Sequence, residues 1–414
     1  MKKKNFKIGV IGLGYVGLPL ALAFAKHFKT FAYDQDNNRI KKVKQKIDSN
    51  KDVKIKSNNC FFDSNPKILK ACNVFIITVP TPVDKKNLPN LNNLLSATKI
   101  VSKFVKKNDI VIYESTVYPG TTDNICIPII EKMTSLKSNK DFFYGYSPER
   151  VNPGDKKRNI EKIVKLVSGS NKETLNKIDF IYRTAIKAGT FKVKKVIIAE
   201  SAKIIENTQR DVNVALMNEL SKFFDKIKVD FTQILEAAST KWNFLDFKPG
   251  LVGGHCIGVD PYYLTYLAKK KKFNPKLISQ ARKINEDMAN YHAGKILQKL
   301  KKTKLNKILI CGFSFKANCS DFRNTGVLKL YNYLNRKNIK IDIFDPYVDK
   351  KKVLEQHRLK IIKKIKKRHY NLVIIAVDHT KFKNLTKKFF LKLIKKDGHI
   401  YDLKNIFNVN RDKN

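Results

Sequence analysis

Residues 7–28, Lys7-IGVIGLGYVGLPLALAFAKH-Phe28, decide the fold. Behind the leading MKKK, the uncharged run from Ile8 to Ala25 imitates a signal peptide or a short membrane span. The competing reading is a strand, a glycine turn and a helix. Gly12, Gly14 and Gly17 stand at GxGxxG spacing, poor filler for a membrane helix but suited to a dinucleotide turn. The first glycine permits the tight turn, the second lets backbone approach a pyrophosphate, and the third packs helix on strand. A second strand, FAYDQD, follows and carries Asp34. An acidic residue about 20 positions beyond the turn suits a ribose 2′-hydroxyl and repels a 2′-phosphate, so the expected cofactor is NAD, not NADP.

Outward from that turn the alternation continues. VFIITVP at 74–80, NDIVIYEST at 108–116 and DFFYGYSPER at 141–150 are short β-branched runs separated by helical stretches. This is the pattern of a parallel doubly wound sheet. Ligands gather at the carboxyl ends of such strands, where Pro80-Thr81-Pro82, Glu114-Ser115-Thr116 and Ser147-Pro148-Glu149-Arg150 fall. From about 196 the sequence VIIAESAKIIENTQRDVNVALMNELSKFFDKI has no Gly or Pro and predicts one long helix. Helical sequence runs on to about 300, interrupted by glycines at 249–260. Strands return at 307–316, 340–346, 371–377 and 399–403, with Asp345 ending the second of them but without a GxGxxG. The expected fold is α/β: two Rossmann-like doubly wound domains joined by a long central helix in an all-α middle region. The expected domains are 1–195, 196–300 and 301–414. The basic segment 356–369 is read as a solvated helix face.

Composition bounds the function classes. The chain of 414 residues is 43% hydrophobic and 29% charged, which excludes wholesale disorder. Its 84 Lys+Arg against 36 Asp+Glu give +48, a field that attracts polyanions. The lysines are spread along the whole length, beside abundant Asn and Ile, and read as compositional drift. We therefore expect no specific nucleic-acid partner and no membrane insertion. The alternative from another class is a basic, NAD-sensing polyanion-binding protein. The six cysteines show no CxxC pair and no zinc spacing, so the chain reads as reduced and cytoplasmic, with no metal. Cys72 and Cys311 adjoin apolar strands and read as inert core.

The most specific segment is Pro249-GLVGGHCIGVD-Pro261. Glycines on both sides of Cys256 allow close approach of a ligand to the sulfur, and Asp260, four residues on, is a candidate to position a water or the thiol. His255 reads as a loop or substrate-contact residue and not as a general base. Lys203, Asn207 and Arg210, at i, i+4 and i+7, share one helix face, either a solvated stripe or a site face. A nucleophilic cysteine beside a dinucleotide fold predicts oxidation of an alcohol to a carboxylate. An aldehyde captured as a thiohemiacetal gives up a second hydride to become a thioester, which water cleaves.

The segments IGLGYVGLPLA, ESTVYPGTT, YSPERVNPGD, ESAKIIENTQRDVNVALMNEL, KWNFLDFKPGLVGGHCIGVDPYYL and FSFKANCSDFRNT together resemble the UDP-glucose/GDP-mannose dehydrogenase family over almost the full length. GGHCIGVDPYYL with SPERVNPGD resembles the branch that oxidises UDP-N-acetylhexosamines at C6. Val259 stands where UDP-glucose dehydrogenases usually have lysine. UDP-glucose or GDP-mannose is the alternative substrate. The resemblance implies that Cys256 is the nucleophile. It implies that Lys203 and Asn207 form an anion pocket, that Asp260 with Thr116 handles a proton, and that Glu149 serves thioester hydrolysis. Arg150, Val151, Arg210, Phe247, Gly253 and Lys316 would contact the nucleotide sugar. Val16, Asp34, Arg39, Thr81, Thr116 and, from the C-terminal domain, Arg323 would contact NAD. It further implies an active site between the two Rossmann-like domains, a homodimer or higher homo-oligomer built on the central helix, and a uronic acid product for surface polysaccharide.

Overall fold

Every residue of β1 (Lys7–Ile11) after the first is buried, as a strand central to a sheet covered on both faces requires. The computed structural model describes residues 3–48, 53–56, 59–151, 160–300, 307–337 and 339–407. The chain divides into two compact units, Met1–Glu206 with Tyr262–Asn274, and Asn207–Pro261 with Pro275–Asn414.

In the first unit, β1 is followed by α1 (Gly17–Ala25), β2 (Lys29–Tyr33), α2 (Asn37–Lys44), β3 (Cys60–Asp63), β4 (Val74–Ile77) and α3 (Asn92–Ser102). Then come β5 (Ile110–Tyr113), α4 (Ile127–Thr134), β6 (Phe143–Tyr146), β7 (Lys165–Gly169), α5 (Lys172–Ala185) and β8 (Thr190–Val193). The sheet order is β3-β2-β1-β4-β5-β6-β7-β8. One face carries Ile8, Val10, Phe24 and Tyr182, and the other Ile11, Phe75, Leu94 and Ile130. All neighbours run parallel except β6 and β7, which pair antiparallel through Gly145↔Gly169. The sequence shows five strands here, and the structure adds β3, β7 and β8. Two of these have only four residues, and β8 keeps no fully buried position, so neither offers a hydrophobic period.

The long helix α6 spans Val196–Lys226. Its Glu200 is buried and accepts from Gly120 N (2.6 Å), Thr122 N (2.9 Å) and Thr122 Oγ1 (2.7 Å), tying the helix to the loop before α4. The boundary between the units falls within α6, after Glu206. Helices α7 (Phe231–Ala238), α8 (Asp260–Lys270) and α9 (Lys276–Leu300) follow. Among the described residues, no helix is long and apolar enough to cross a membrane, and the N-terminal apolar run is divided between β1 and α1.

The second sheet, ordered β10-β9-β11-β12, is wholly parallel. It is built from β9 (Lys307–Cys311), α10 (Gly326–Asn335), β10 (Lys340–Phe344), α11 (Lys350–His357), β11 (Tyr370–Ile375) and β12 (Ile394–Asp402). It repeats the first unit in detail. Gly12 (φ +93°) donates from N to Tyr33 O, and Gly312 (φ +99°) to Phe344 O, both at 2.8 Å. Asp34 Oδ2 accepts Leu13 N at 2.7 Å, and Asp345 Oδ2 accepts Phe313 N at 2.7 Å. The segment 356–369 is not the helix face expected of it. α11 stops at His357, Arg358 turns into the left-handed region (φ +55°), and Ile361 bridges to Ile343. A run of lysines and arginines without acidic partners gives a helix no i,i+4 support.

Candidate active site

In the first unit the glycine turn sits at the carboxyl end of β1. A Cβ on Gly17 would overlap Gly12 O and Thr78 Oγ1, whereas a Cβ on Gly14 would meet nothing within 4 Å. The turn is therefore closed on its protein side and open at Gly14, as close approach of a pyrophosphate requires. Val16 occupies the N-cap of α1, so the first amides of that helix face the same space. Asp34 accepts Leu13 N through Oδ2 and Asp36 N through Oδ1 (2.9 Å), which leaves lone pairs on both oxygens for ribose hydroxyls. Arg39 donates through Nε to Leu13 O (2.8 Å) and pairs with Asp48 at 3.0 Å. It braces the turn and does not stand as an open 2′-phosphate receptor. These residues fit NAD.

At the carboxyl ends of β4 and β5, Thr81 Oγ1 donates to Thr116 O at 2.5 Å, and Tyr263 OH donates to Thr81 O at 2.5 Å. Glu149, beyond β6, accepts from Arg150 N and Val151 N at 2.6 Å each through Oε1. Its Oε2 lies 3.3 Å from the ammonium of Lys165. Arg150 pairs with Glu206 at 2.7 Å. The NPGD tail of the SPERVNPGD motif lies outside the described residues. On α6, Lys203 and Asn207 are buried while Arg210 is exposed, so the solvated-stripe reading fails for the first two. A buried lysine needs a purpose or a partner.

In the second unit the glycine loop is clamped from two sides. Asn218 donates to Gly250 O (3.1 Å) and accepts Gly250 N (2.8 Å), and its amide also reaches Asn285 Oδ1 (2.8 Å). Across the loop, a Cβ on Gly253 would come within 2.7 Å of Asn324 O, and one on Gly254 within 2.8 Å of the Phe315 ring. These glycines let the loop lie against the segment carrying Lys316 and Arg323. Lys316 stands 5.5 Å over the Phe315 ring, and Arg323 makes a two-pronged contact to Asp321 through Nε (2.9 Å) and Nη2 (2.7 Å). Phe247 is half-buried.

Cys256 closes this loop at the entry to α8. Its carbonyl accepts Asp260 N at 2.8 Å and Val259 N at 3.1 Å. Asp260 is buried and accepts Asn207 Nδ2 at 2.5 Å. Cys256 is half-buried, whereas the other five cysteines are buried, and none of the six forms a disulfide. Burial pushes the thiols of Cys60, Cys72 and Cys126 up to about 12, which leaves them inert at neutral pH. His255 is held down to about 4 by burial and by Arg323, against the pull of Asp321, so its imidazole is neutral. Asn218, Asp321 and Lys165 hold site residues without carrying a motif of their own, so the sequence does not mark them.

A glycine-turn dinucleotide sheet, a second Rossmann-like sheet and an accessible cysteine in a glycine loop define a dehydrogenase of the NAD-dependent class. The chain belongs to the UDP-glucose/GDP-mannose dehydrogenase family. Residues 6–186 match its NAD binding domain, 198–287 its central domain and 309–409 its UDP binding domain. It is an NAD-dependent UDP-sugar dehydrogenase, an oxidoreductase. It is 43% identical to the UDP-N-acetyl-D-glucosamine 6-dehydrogenase of Pseudomonas aeruginosa, with 99% of each chain covered. It is 42% identical to the enzyme of the same name from Salmonella typhi over 97% of this chain and 96% of that one. The solved UDP-D-ManNAc dehydrogenase from Pyrococcus horikoshii superposes with a TM-score of 0.89 at 30% identity, covering 97% of this chain and 96% of that one.

Proposed function

We propose that this protein oxidises the C6 hydroxyl of UDP-N-acetylglucosamine to the carboxylate through a thioester on Cys256. The substrate is supported by the whole-length likeness to two enzymes named for that sugar. The route is carried by one observation: Cys256 alone among the six cysteines is not buried.

NAD supplies the acceptor for the two hydrides that leave C6, bound by the turn Gly12–Gly17, Asp34, Thr81 and Thr116. The rest falls to the chain. Asp260, aided by Thr116, takes the proton of the sugar hydroxyl. The Cys256 sulfur bonds to the aldehyde carbon, and Lys203 and Asn207 stabilise the charge that moves onto oxygen. After the second hydride leaves, water attacks the thioester and gives its proton to Glu149. The C–S bond breaks, and Cys256 departs as thiolate. One alcohol, two NAD⁺ and one water give one carboxylate, two NADH and three protons.

In this reading residues 1–195 bind NAD, 196–300 carry the central helices, and 301–414 bind the UDP portion through Lys316, with Arg323 reaching NAD. The matched family ranges support that division. Arg150, Val151, Arg210, Phe247 and Gly253 line the sugar nucleotide. The enzyme works in the cytoplasm as a homodimer or larger homo-oligomer, and its uronic acid feeds surface polysaccharide. Self-association is supported by Ile198, Ile205, Leu216 and Phe223, exposed apolar residues that form one stripe along α6.

The test is the NADH formed per UDP-N-acetylglucosamine consumed, with the product weighed by mass spectrometry. Two NADH and a uronate are expected. One NADH with an accumulating aldehyde, or free uronate from Cys256→Ser at the wild-type rate, overturns the thioester route. Faster turnover of UDP-glucose or GDP-mannose overturns the substrate.

A further inference from the structure

Behind Glu149 lies an ion cluster that the chemistry above does not use. Lys165, the first residue of β7, and Glu114, just beyond β5, are each 2% exposed. The Lys165 ammonium stands 2.6 Å from Glu114 Oε2 and 3.3 Å from Glu149 Oε2. Tyr182 of α5 donates its hydroxyl to the other oxygen of Glu114, and its ring lies under the ammonium at 5.9 Å. Two carboxylates thus face one ammonium. Arg150, next to Glu149 in the chain, is committed to Glu206 (2.7 Å) and to Val164 O (3.2 Å). A lysine at the start of a strand would ordinarily reach solvent along its stem. Here it is turned inward to the carboxylate that serves thioester hydrolysis.

We infer that Lys165 and Glu114 are positioning residues that grip and release Glu149 while water cleaves the Cys256 thioester. The inference rests on the thioester reading. Glu149 Oε1 is pinned by two backbone amides, so the Lys165 contact at Oε2 decides how the carboxylate is aimed and how far its lone pairs are occupied. When Glu114 is ionised it holds the ammonium at the shorter distance, and Glu149 can accept a proton from water. When Glu114 is protonated, Glu149 is the anion left to the ammonium among the described residues and is locked by it. Burial raises the Glu114 carboxyl to about 7, against the opposing pull of Lys165, which puts this exchange near neutrality. Tyr182 is pushed well above its ordinary range by burial and remains a donor throughout. The hydrolytic step involves no redox change: the water oxygen bonds to the acyl carbon, its proton goes to Glu149, and the C–S electron pair returns to sulfur.

The experiment uses the full-length protein with NAD⁺ and UDP-N-acetylglucosamine, following NADH by stopped flow and uronate by chemical quench. In wild type, uronate release should rise as pH passes through about 7. Glu114→Gln keeps the shape and one acceptor oxygen of the carboxylate and loses its charge. It should release uronate at the wild-type low-pH rate, without that rise, while its first-turnover NADH stays within about threefold of wild type. Lys165→Met should keep the NADH burst, release uronate about tenfold more slowly or worse, and accumulate an acyl adduct on Cys256 by intact mass. A Glu114→Gln profile that tracks wild type overturns the inference, whether or not Lys165→Met folds. So does an equal loss of burst and release in both variants, which marks a merely structural pair. Glu149→Gln is the reference: if it yields no acyl adduct and wild type releases aldehyde, the thioester reading itself has failed.

Discussion

Gly14 and Gly17 belong to the same turn, yet an added methyl group meets different surroundings at each. At Gly17 it overlaps Gly12 O and Thr78 Oγ1, and at Gly14 it enters open space. Gly17→Ala should therefore destabilise the fold by about 2 kcal/mol or more. Gly14→Ala should leave the melting temperature nearly unchanged and weaken NAD binding at least tenfold, since the methyl fills the space the pyrophosphate takes. Thermal unfolding without ligand, paired with a fluorescence titration of NADH, separates the two. A Gly14→Ala protein that binds NADH normally refutes the assignment of that space to the cofactor. The turn was legible in sequence because glycine spacing is dictated by backbone geometry. Lys165 was not, because a single lysine among 84 Lys+Arg carries no sign that its ammonium is turned inward.

Helix α6 was readable as an element from its unbroken run without Gly or Pro. What anchors it was not, since nothing local tells Glu200 from the other acidic residues of that helix. Its carboxylate satisfies two backbone amides and a hydroxyl in a buried loop. Glu200→Ala would leave those donors without an acceptor and should cost about 2–3 kcal/mol, read as a lower denaturant midpoint. On the outer side of the same helix, Phe223 is 54% exposed within the apolar stripe. Phe223→Glu should leave monomer stability within about 0.5 kcal/mol and lower the molar mass seen by light scattering. An unchanged mass would place the oligomer contact elsewhere. The missed strands were lost for a reason of scale. In four residues the edge strands β3 and β8 show neither alternation nor a solid apolar run, and the antiparallel entry of β7 breaks the βαβ rhythm from which the others were inferred.

For the molecule as a whole, a charge of +48 means self-repulsion in the folded state that mobile anions relieve. Raising salt from about 0.02 M to 0.2 M should raise the melting temperature by a few degrees, and heparin retention should vanish near physiological ionic strength. Tight heparin binding that survives there would favour a specific polyanion partner. Acid acts through the second unit. Burial opposes ionisation of Asp345, but its hydrogen bonds to His379 and to the Phe313 and Tyr347 amides hold its carboxyl below the ordinary range. A carboxyl lowered on folding contributes stability that is present above its unfolded value and is lost as pH falls through its folded value. Asp345→Asn should therefore be less stable than wild type at neutral pH, and the gap should close in acid, as urea midpoints across pH will show.

That aspartate has a further consequence for anyone who would remake the enzyme. The two halves share the same scaffold around Asp34 and Asp345, so transplanting the glycine fingerprint into residues 312–317 looks like a route to a second redox site. Asp345, however, is 0% exposed and already serves the amides of Phe313, Ser314, Tyr347 and Val348 as well as His379. Its counterpart Asp34 remains partly open. The C-terminal copy has committed its carboxylate to architecture, and reprogramming it would mean dismantling that keystone before any ribose could be offered an oxygen.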